Sequence, residues 1–353
     1  MAIDDAVDQA IAKGDLPGAV VLVLHADKVV YRKAFGQRAK RPEPTLMSED
    51  TIFDLASLTK PIFSALAIML LEQDGKLNVD DPIGKHLPAF ARRKETETIT
   101  IAQLLTHTSG FPANNAVNEY QGGKDKAWEK VFAVLPEAAP GSRFKYSSFG
   151  YILLGKIVEK VSGSSLEEFG AKRIYGPLGM KDTTFHPSAE QKKRCAPTEE
   201  REGRWMIGEV HDPRAYALGG EAGHAGLFST VDDLAIFARM MLNDGKHAGM
   251  SFLRPETLKL MTAPRKVMDE KGPGLRTYGW DMDTTYSSNR GNVFTKGVSY
   301  GHTGFTGTSI WIDPGSKSAV ILLANRVHPD GKGNVVRLRG QVATIAGRAF
   351  LGN

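Results

Sequence analysis

Apolar positions in this chain follow two periods, and the switches between them outline its elements. Ile3, Val7 and Ile11 recur every four residues, which predicts an amphipathic helix from Asp4 to Ala12. Two β-branched runs, Gly18 to His25 and Lys28 to Gly36, flank the short Ala26-Asp27 turn and predict a hairpin. A long apolar helix is expected from about Thr59 to Gln73; Pro61 fits only near its start, and Asp74-Gly75 closes it. From Asp80 to about Arg204 the pattern is helices and loops, with Gln103 to His107, Trp128 to Leu135, Gly150 to Val161 and Ser165 to Tyr175 as the helical pieces. Thr230 opens another helix that runs to Leu242, its early acids Asp232 and Asp233 suited to the N-terminal dipole. Strands follow near Ser309 to Ile312 and Ala319 to Ala324, then a last helix from Asn334 to Phe350.

A hairpin at one end and strands plus a helix at the other imply one antiparallel sheet built from both termini, an α/β (α+β) architecture flanked by the terminal helices. Residues 1–56 and 205–353 form the α/β lobe in this reading, and 57–204 a mainly helical lobe. The cleft between lobes is the natural place for an active site.

Composition narrows the classes. At 353 residues, 41% hydrophobic and 24% charged, the chain can bury a large core. No segment approaches 18 uninterrupted apolar residues, so no membrane span is expected. The N-terminus lacks the basic start and apolar core of a secretory signal, so the chain as it stands reads as cytoplasmic, or as periplasmic or secreted if a leader was removed. A single cysteine, Cys195, excludes an internal disulfide. The net charge of +5 is spread along the chain; its densest basic group, Arg92-Arg93-Lys94, is followed by Glu95 and Glu97, which reads as a solvated face and not a nucleic-acid surface.

The chemistry concentrates at Ser57-Leu58-Thr59-Lys60. A hydroxyl and an amine three residues apart share one helical face. Serine is a poor nucleophile until a base takes its proton, and lysine can serve when burial or nearby positive charge lowers its pKa. The competing reading is a helix-capping hydroxyl beside a solvated lysine. Partners elsewhere favour the first: Lys145-Tyr146-Ser147-Ser148 ahead of an amphipathic helix, and Gly301-His302-Thr303-Gly304-Phe305 ahead of a strand-like run.

Ser57-x-x-Lys60, Tyr146-Ser147-Ser148 and His302-Thr303-Gly304, in this order, resemble the serine β-lactamase and penicillin-binding-protein superfamily. Leu104 to Gly110 and Pro177 to Thr183 extend the resemblance over nearly the whole chain, closest to the branch of class C β-lactamases, D-alanyl carboxypeptidases and family VIII carboxylesterases. The resemblance implies the β-lactamase/transpeptidase-like fold and assigns Ser57 as nucleophile. It implies that Lys60 and Tyr146 share the proton, and that the amides of Ser57 and Phe305 form the oxyanion hole. Ser148, His302, Thr303 and Gly304 would contact substrate, with Gly304 letting the strand approach closely.

Two positions depart from the family pattern. His302 stands where lysine is common, supplying charge only partially near neutrality and a neutral donor otherwise. Ser148 stands where asparagine is usual. Both shift the expectation toward a carboxylesterase of short-chain esters with weak β-lactamase activity; a D-alanyl peptidase or β-lactamase is the alternative, and a ligand-sensing module without turnover a further one. Partners are then a small ester, β-lactam or short peptide, with no cofactor and no metal. His211, Asp212 and His224, in a stretch rich in glycine and histidine, lack metal-ligand spacing. His107 invites a triad with Ser57, but no Gly-x-Ser-x-Gly elbow supports it, and a structural role is expected.

Overall fold

A computed structural model describes residues 2–351. Nine strands form one antiparallel sheet: β1 (Gly18–His25), β2 (Lys28–Ala39), β3 (Thr45–Leu46), β4 (Arg265–Asp269), β5 (Gly272–Arg276), β6 (Asp281–Asp283), β7 (Tyr300–Thr303), β8 (Ser309–Asp313) and β9 (Ser318–Ala324). Their order is β4-β5-β6-β7-β8-β9-β1-β2-β3, so the expected sheet from both termini is present, with the first strand paired to the last. The Ala26-Asp27 turn puts both residues in the left-handed region, at φ 45° and 68°, the twist that joins two antiparallel strands tightly.

The run of β1 is apolar on both faces because both are covered. Ala19, Val21 and Val23 pack with helix α1 (Ile3–Ala12) and the C-terminal helix α5 (Val336–Leu351), while Val20, Leu22 and Leu24 face the larger core. That larger core takes in helix α2 (Leu66–Gln73), helix α3 (Ser148–Ser162) and helix α4 (Val231–Leu242). Each fully buried Val or Leu here contributes about 1.5–3 kcal/mol.

Helix ends differ from the sequence expectation by a few residues, set by caps. Ser147 accepts from the Gly150 amide and starts α3 at Ser148; Thr100 accepts from the Gln103 amide and starts the next short helix at Ile101–Leu105. The helix expected from Thr59 is instead compound: a 3₁₀ turn at Ala56–Leu58, wide π-helical turns over Lys60–Ala65, then regular α2. Strands β4 to β6 had no counterpart in the sequence reading. Gly272, Pro273 and Gly274 disfavour a strand, yet β5 tolerates Pro273 because β6 pairs only with Leu275 and Arg276.

Candidate active site

Ser57 sits on a turn fixed from several sides. Asp54 lies on a short ribbon with Phe228–Ser229 and is buried; its carboxylate accepts the Ala56 amide at 2.8 Å and the His211 amide at 2.7 Å. The first of these bonds holds Ala56 at φ 46°, a conformation that costs a non-glycine residue on the order of 1 kcal/mol. Thr306 and Thr308, beyond β7, donate their hydroxyls to the carbonyls of Asp54 and Leu55 at 2.7 and 2.9 Å. A Cβ on Gly304 would lie 2.1 Å from Thr308 Oγ1 and 2.4 Å from the Leu55 carbonyl oxygen. The close approach at Gly304 is therefore to the Ser57 turn itself. Among the described residues the amides of Ser57 and Phe305 donate no hydrogen bond.

Lys60 is fully buried and its Nζ donates to Ser57 Oγ and to the His224 carbonyl, both at 3.0 Å. Burial lowers its pKa to about 7; Asp212 opposes that fall and Arg276 adds to it. Half of such a lysine is a free amine near neutrality. Tyr146 is clamped between the rings of His107, at 4.5 Å, and Tyr286, at 5.1 Å, with the Lys60 amine 5.1 Å from its ring. Burial pushes its phenol up to about 12, against the pull of the Ser57 hydroxyl, so it keeps its proton throughout the neutral range.

His302 lines the same cleft, 5.9 Å from the Tyr146 ring. Burial, then Arg276 and Lys60, holds it well below the usual histidine range, so it carries no charge at neutral pH. Its Nδ1 donates to the Thr303 carbonyl at 2.8 Å, which leaves Nε2 as an acceptor in place of the neutral donor the sequence suggested.

Thr303, Gly304 and Phe305 join Ser57, Tyr146 and His302 along one cavity of about 520 Å³. Phe305 is exposed at its mouth, stacked between His211 at 5.6 Å and the Arg326 guanidinium at 4.3 Å. Ser148 is not brought to this cavity; it begins α3 and its amide donates to Ala113. His107 accepts the Ser147 amide through Nδ1 at 3.0 Å and supports the Tyr146 ring, as a structural histidine would. Of the residues weighed for a metal, His211 bonds Glu199 at 2.6 Å, and His224 and Asp212 bond each other at 2.9 Å.

Two buried arginines on the cavity wall, Arg276 and Arg339, were missed, as was the partly exposed Arg326. Arg276 on β5 is fully buried; Nη1 donates to Asp281 at 3.0 Å, while Nε and Nη2 have no partner among the described residues. Nothing in Leu275-Arg276-Thr277 signals this. Arg339 donates from Nη2 to the carbonyls of Gly304 and Thr308 at 2.7 and 2.8 Å, and burial lowers it to about 9. It did have a signal: an arginine on the apolar stripe of Val335, Leu338 and Val342.

The assembled groups can activate a hydroxyl and stabilise an oxyanion, and comparison with known proteins points the same way. The chain is 35% identical to a provisionally named D-alanyl-D-alanine carboxypeptidase of Escherichia coli, over 88% of this chain and 79% of that one. It is 33% identical to the N-acetylmuramyl-L-alanine amidase of Bacillus subtilis, over 92% and 80%. The fold superposes with a TM-score of 0.76 on EstCE1, a hydrolase with promiscuous acyltransferase activity, at 24% identity over 97% of each chain. The Beta-lactamase family profile matches residues 3–343, and the chain is therefore a serine hydrolase belonging to the Beta-lactamase family.

Proposed function

We propose that this hydrolase works through an acyl-enzyme on Ser57 and cleaves amide or ester bonds whose leaving group carries a free carboxylate, as in a D-alanyl peptide. Arg276 carries this reading. A buried guanidinium with two unpartnered nitrogens is costly until something completes its shell. A carboxylate matches its planar fork, which it reaches once the side chains covering the fully buried Arg276, Phe144 among them, move aside. Arg326, Lys332 and Arg339 line the same cavity and add positive potential that draws anions. The charge expected of His302 thus passes to Arg276, and the names of the two curated relatives agree with an alanine amide as the scissile group.

In this proposal the neutral Lys60 amine takes the Ser57 proton across 3.0 Å as the oxygen attacks the carbonyl carbon. The Ser57 and Phe305 amides receive the oxyanion. Tyr146, a phenol at neutral pH, hands its proton to the leaving nitrogen or oxygen and is restored from the Lys60 ammonium; it acts as a donor and not as part of a shared base. Water then releases the acyl group by the same path in reverse. A second reading, hydrolysis of uncharged short-chain esters with weak β-lactam turnover, is favoured by the neutral His302 and by Ser148 lying away from the cavity.

The test is a pair of aryl esters identical but for a carboxylate on the phenol, together with an acyl-D-Ala-D-Ala peptide and its C-terminal amide. The carboxylate members are expected to show kcat/KM about tenfold or more higher, the range of a charge-assisted hydrogen bond, and Arg276→Gln to erase the difference. Equal rates within each pair, unaffected by Arg276→Gln, would leave only the ester reading.

A further inference from the structure

Lys60 has no carboxylate within ion-pair distance among the described residues; besides Ser57, its amine bonds only the backbone carbonyl of His224. That carbonyl lies 164 positions along the chain in a glycine-rich loop, where mobility would be expected. The loop is anchored instead. The His224 side chain is 1% exposed, and its Nε2 donates to Asp212 Oδ1 at 2.9 Å. The same Asp212 oxygen accepts the amides of Arg214 and Ala215, both at 2.9 Å, capping a short helix. The neighbouring Gly223 carbonyl accepts Ser64 Oγ at 2.5 Å, and its Cα packs so closely on α3 that a Cβ would lie 2.1 Å from the Tyr151 carbonyl oxygen.

We propose that Asp212 and His224 are positioning residues for Lys60: the carboxylate fixes the imidazole, the imidazole fixes the His224 peptide, and its carbonyl holds the amine against Ser57. The inference rests on the Ser57 acylation proposed above and adds to it what sets the general base.

The same arrangement gives Asp212 an electrostatic effect. A carboxylate in direct contact would keep the lysine protonated; one set back behind a histidine raises its pKa only partway. Burial pushes the Asp212 carboxyl upward, but the His224 ring, the Ala215 amide and Arg214 outweigh it and hold the group well below the usual range, so its negative charge is permanent near neutrality. The other groups facing Lys60 are Arg276 from β5, His302 from β7, His107, Tyr146, and Tyr151 from α3. Both histidines are held neutral and both tyrosines are held as phenols, with Tyr151 pushed up by burial. Asp212 and Arg276, the latter ion-paired with Asp281 at 3.0 Å, are therefore the charges that oppose each other at Lys60.

The experiment follows the rate of Ser57 labelling by a neutral fluorophosphonate from pH 5 to 9, read by intact mass, in wild type, Asp212→Asn, His224→Gln and His224→Phe. Asp212→Asn keeps the helix cap and is expected to move the acid limb down by about one pH unit, the shift expected when one opposite charge is lost. His224→Phe is expected to lower the high-pH plateau by about tenfold or more, as a misplaced base does, and His224→Gln to recover most of it. An Asp212→Asn limb that coincides with wild type, or a His224→Phe plateau matching it, overturns the inference while leaving Ser57 as the acylated residue. No labelling of wild-type Ser57 at any pH overturns the proposed function and this inference with it. If Asp212→Asn does not fold, the two His224 variants decide the question through the plateau.

Discussion

The glycine at 304 allows a sharp test of how the Ser57 turn and the strand beside it are registered. In Gly304→Ala the new Cβ meets the Leu55 carbonyl oxygen at 2.4 Å, where an ordinary contact begins near 3.4 Å, so the strand end must move away by about 1 Å. The Phe305 amide follows directly and moves with it. An oxyanion donor works only near 2.7–3.1 Å, and losing one costs about 3 kcal/mol, roughly 10²-fold in kcat. Steady-state hydrolysis of p-nitrophenyl acetate measures the loss, with thermal unfolding confirming a folded variant. The loss should fall on kcat more than on KM, because the oxyanion forms only in the transition state. Adding Thr308→Ala removes the second clash, with Thr308 Oγ1, but should not restore activity, because the Leu55 obstacle is backbone. A folded Gly304→Ala enzyme within threefold of the wild-type kcat would refute this account of the oxyanion hole.

In the proposed mechanism Lys60 sets the pH dependence: with burial lowering its pKa to about 7 and the free amine as the active form, kcat/KM should fall about tenfold per unit as pH drops below about 7, which a pH–rate profile measures. Tyr146→Phe should cost about 10²-fold on an alanine amide yet less than about tenfold on a p-nitrophenyl ester, whose leaving group needs no proton; comparing the two kcat/KM values separates donor from base. Asp233 gives a stability prediction. Burial pushes its carboxyl up to about 6 despite bonds from Thr183 and the Asp182 amide, so the folded state holds a proton that the unfolded chain releases near pH 4. Its contribution is present at low pH and lost as pH rises through about 6; Asp233→Asn should stabilise the protein at pH 8 by about 1 kcal/mol and flatten that dependence, as read from urea midpoints.

What could be read from the chain alone followed the range of the forces involved. Helices α3 and α4 and strands β1, β8 and β9 carry their apolar pattern within a short window, and the spacing of Ser57 and Lys60 is itself local. Strands β4 to β6 are short and polar or glycine-rich, and exist because neighbours pair with them. The charge balance at Lys60 was hidden for the same reason. Arg276 looks like an ordinary surface residue, and Asp212 was weighed only for a metal, until the fold brings them to a lysine 216 and 152 positions earlier. His302 was misjudged because its burial and the bond to its own neighbour's carbonyl, which fix charge and tautomer, are invisible in the motif.

The pairing of β1 with β9 has a consequence for synthesis. Val21 finds its partner only when Leu322 has been made, so the β1–β2 hairpin waits while about 300 further residues are translated. At about 5–20 residues per second that wait is on the order of 15–60 s. Throughout it, β1 presents an unpaired edge and two apolar faces, the features that recruit other strands into aggregates. Slowing translation lengthens that exposure.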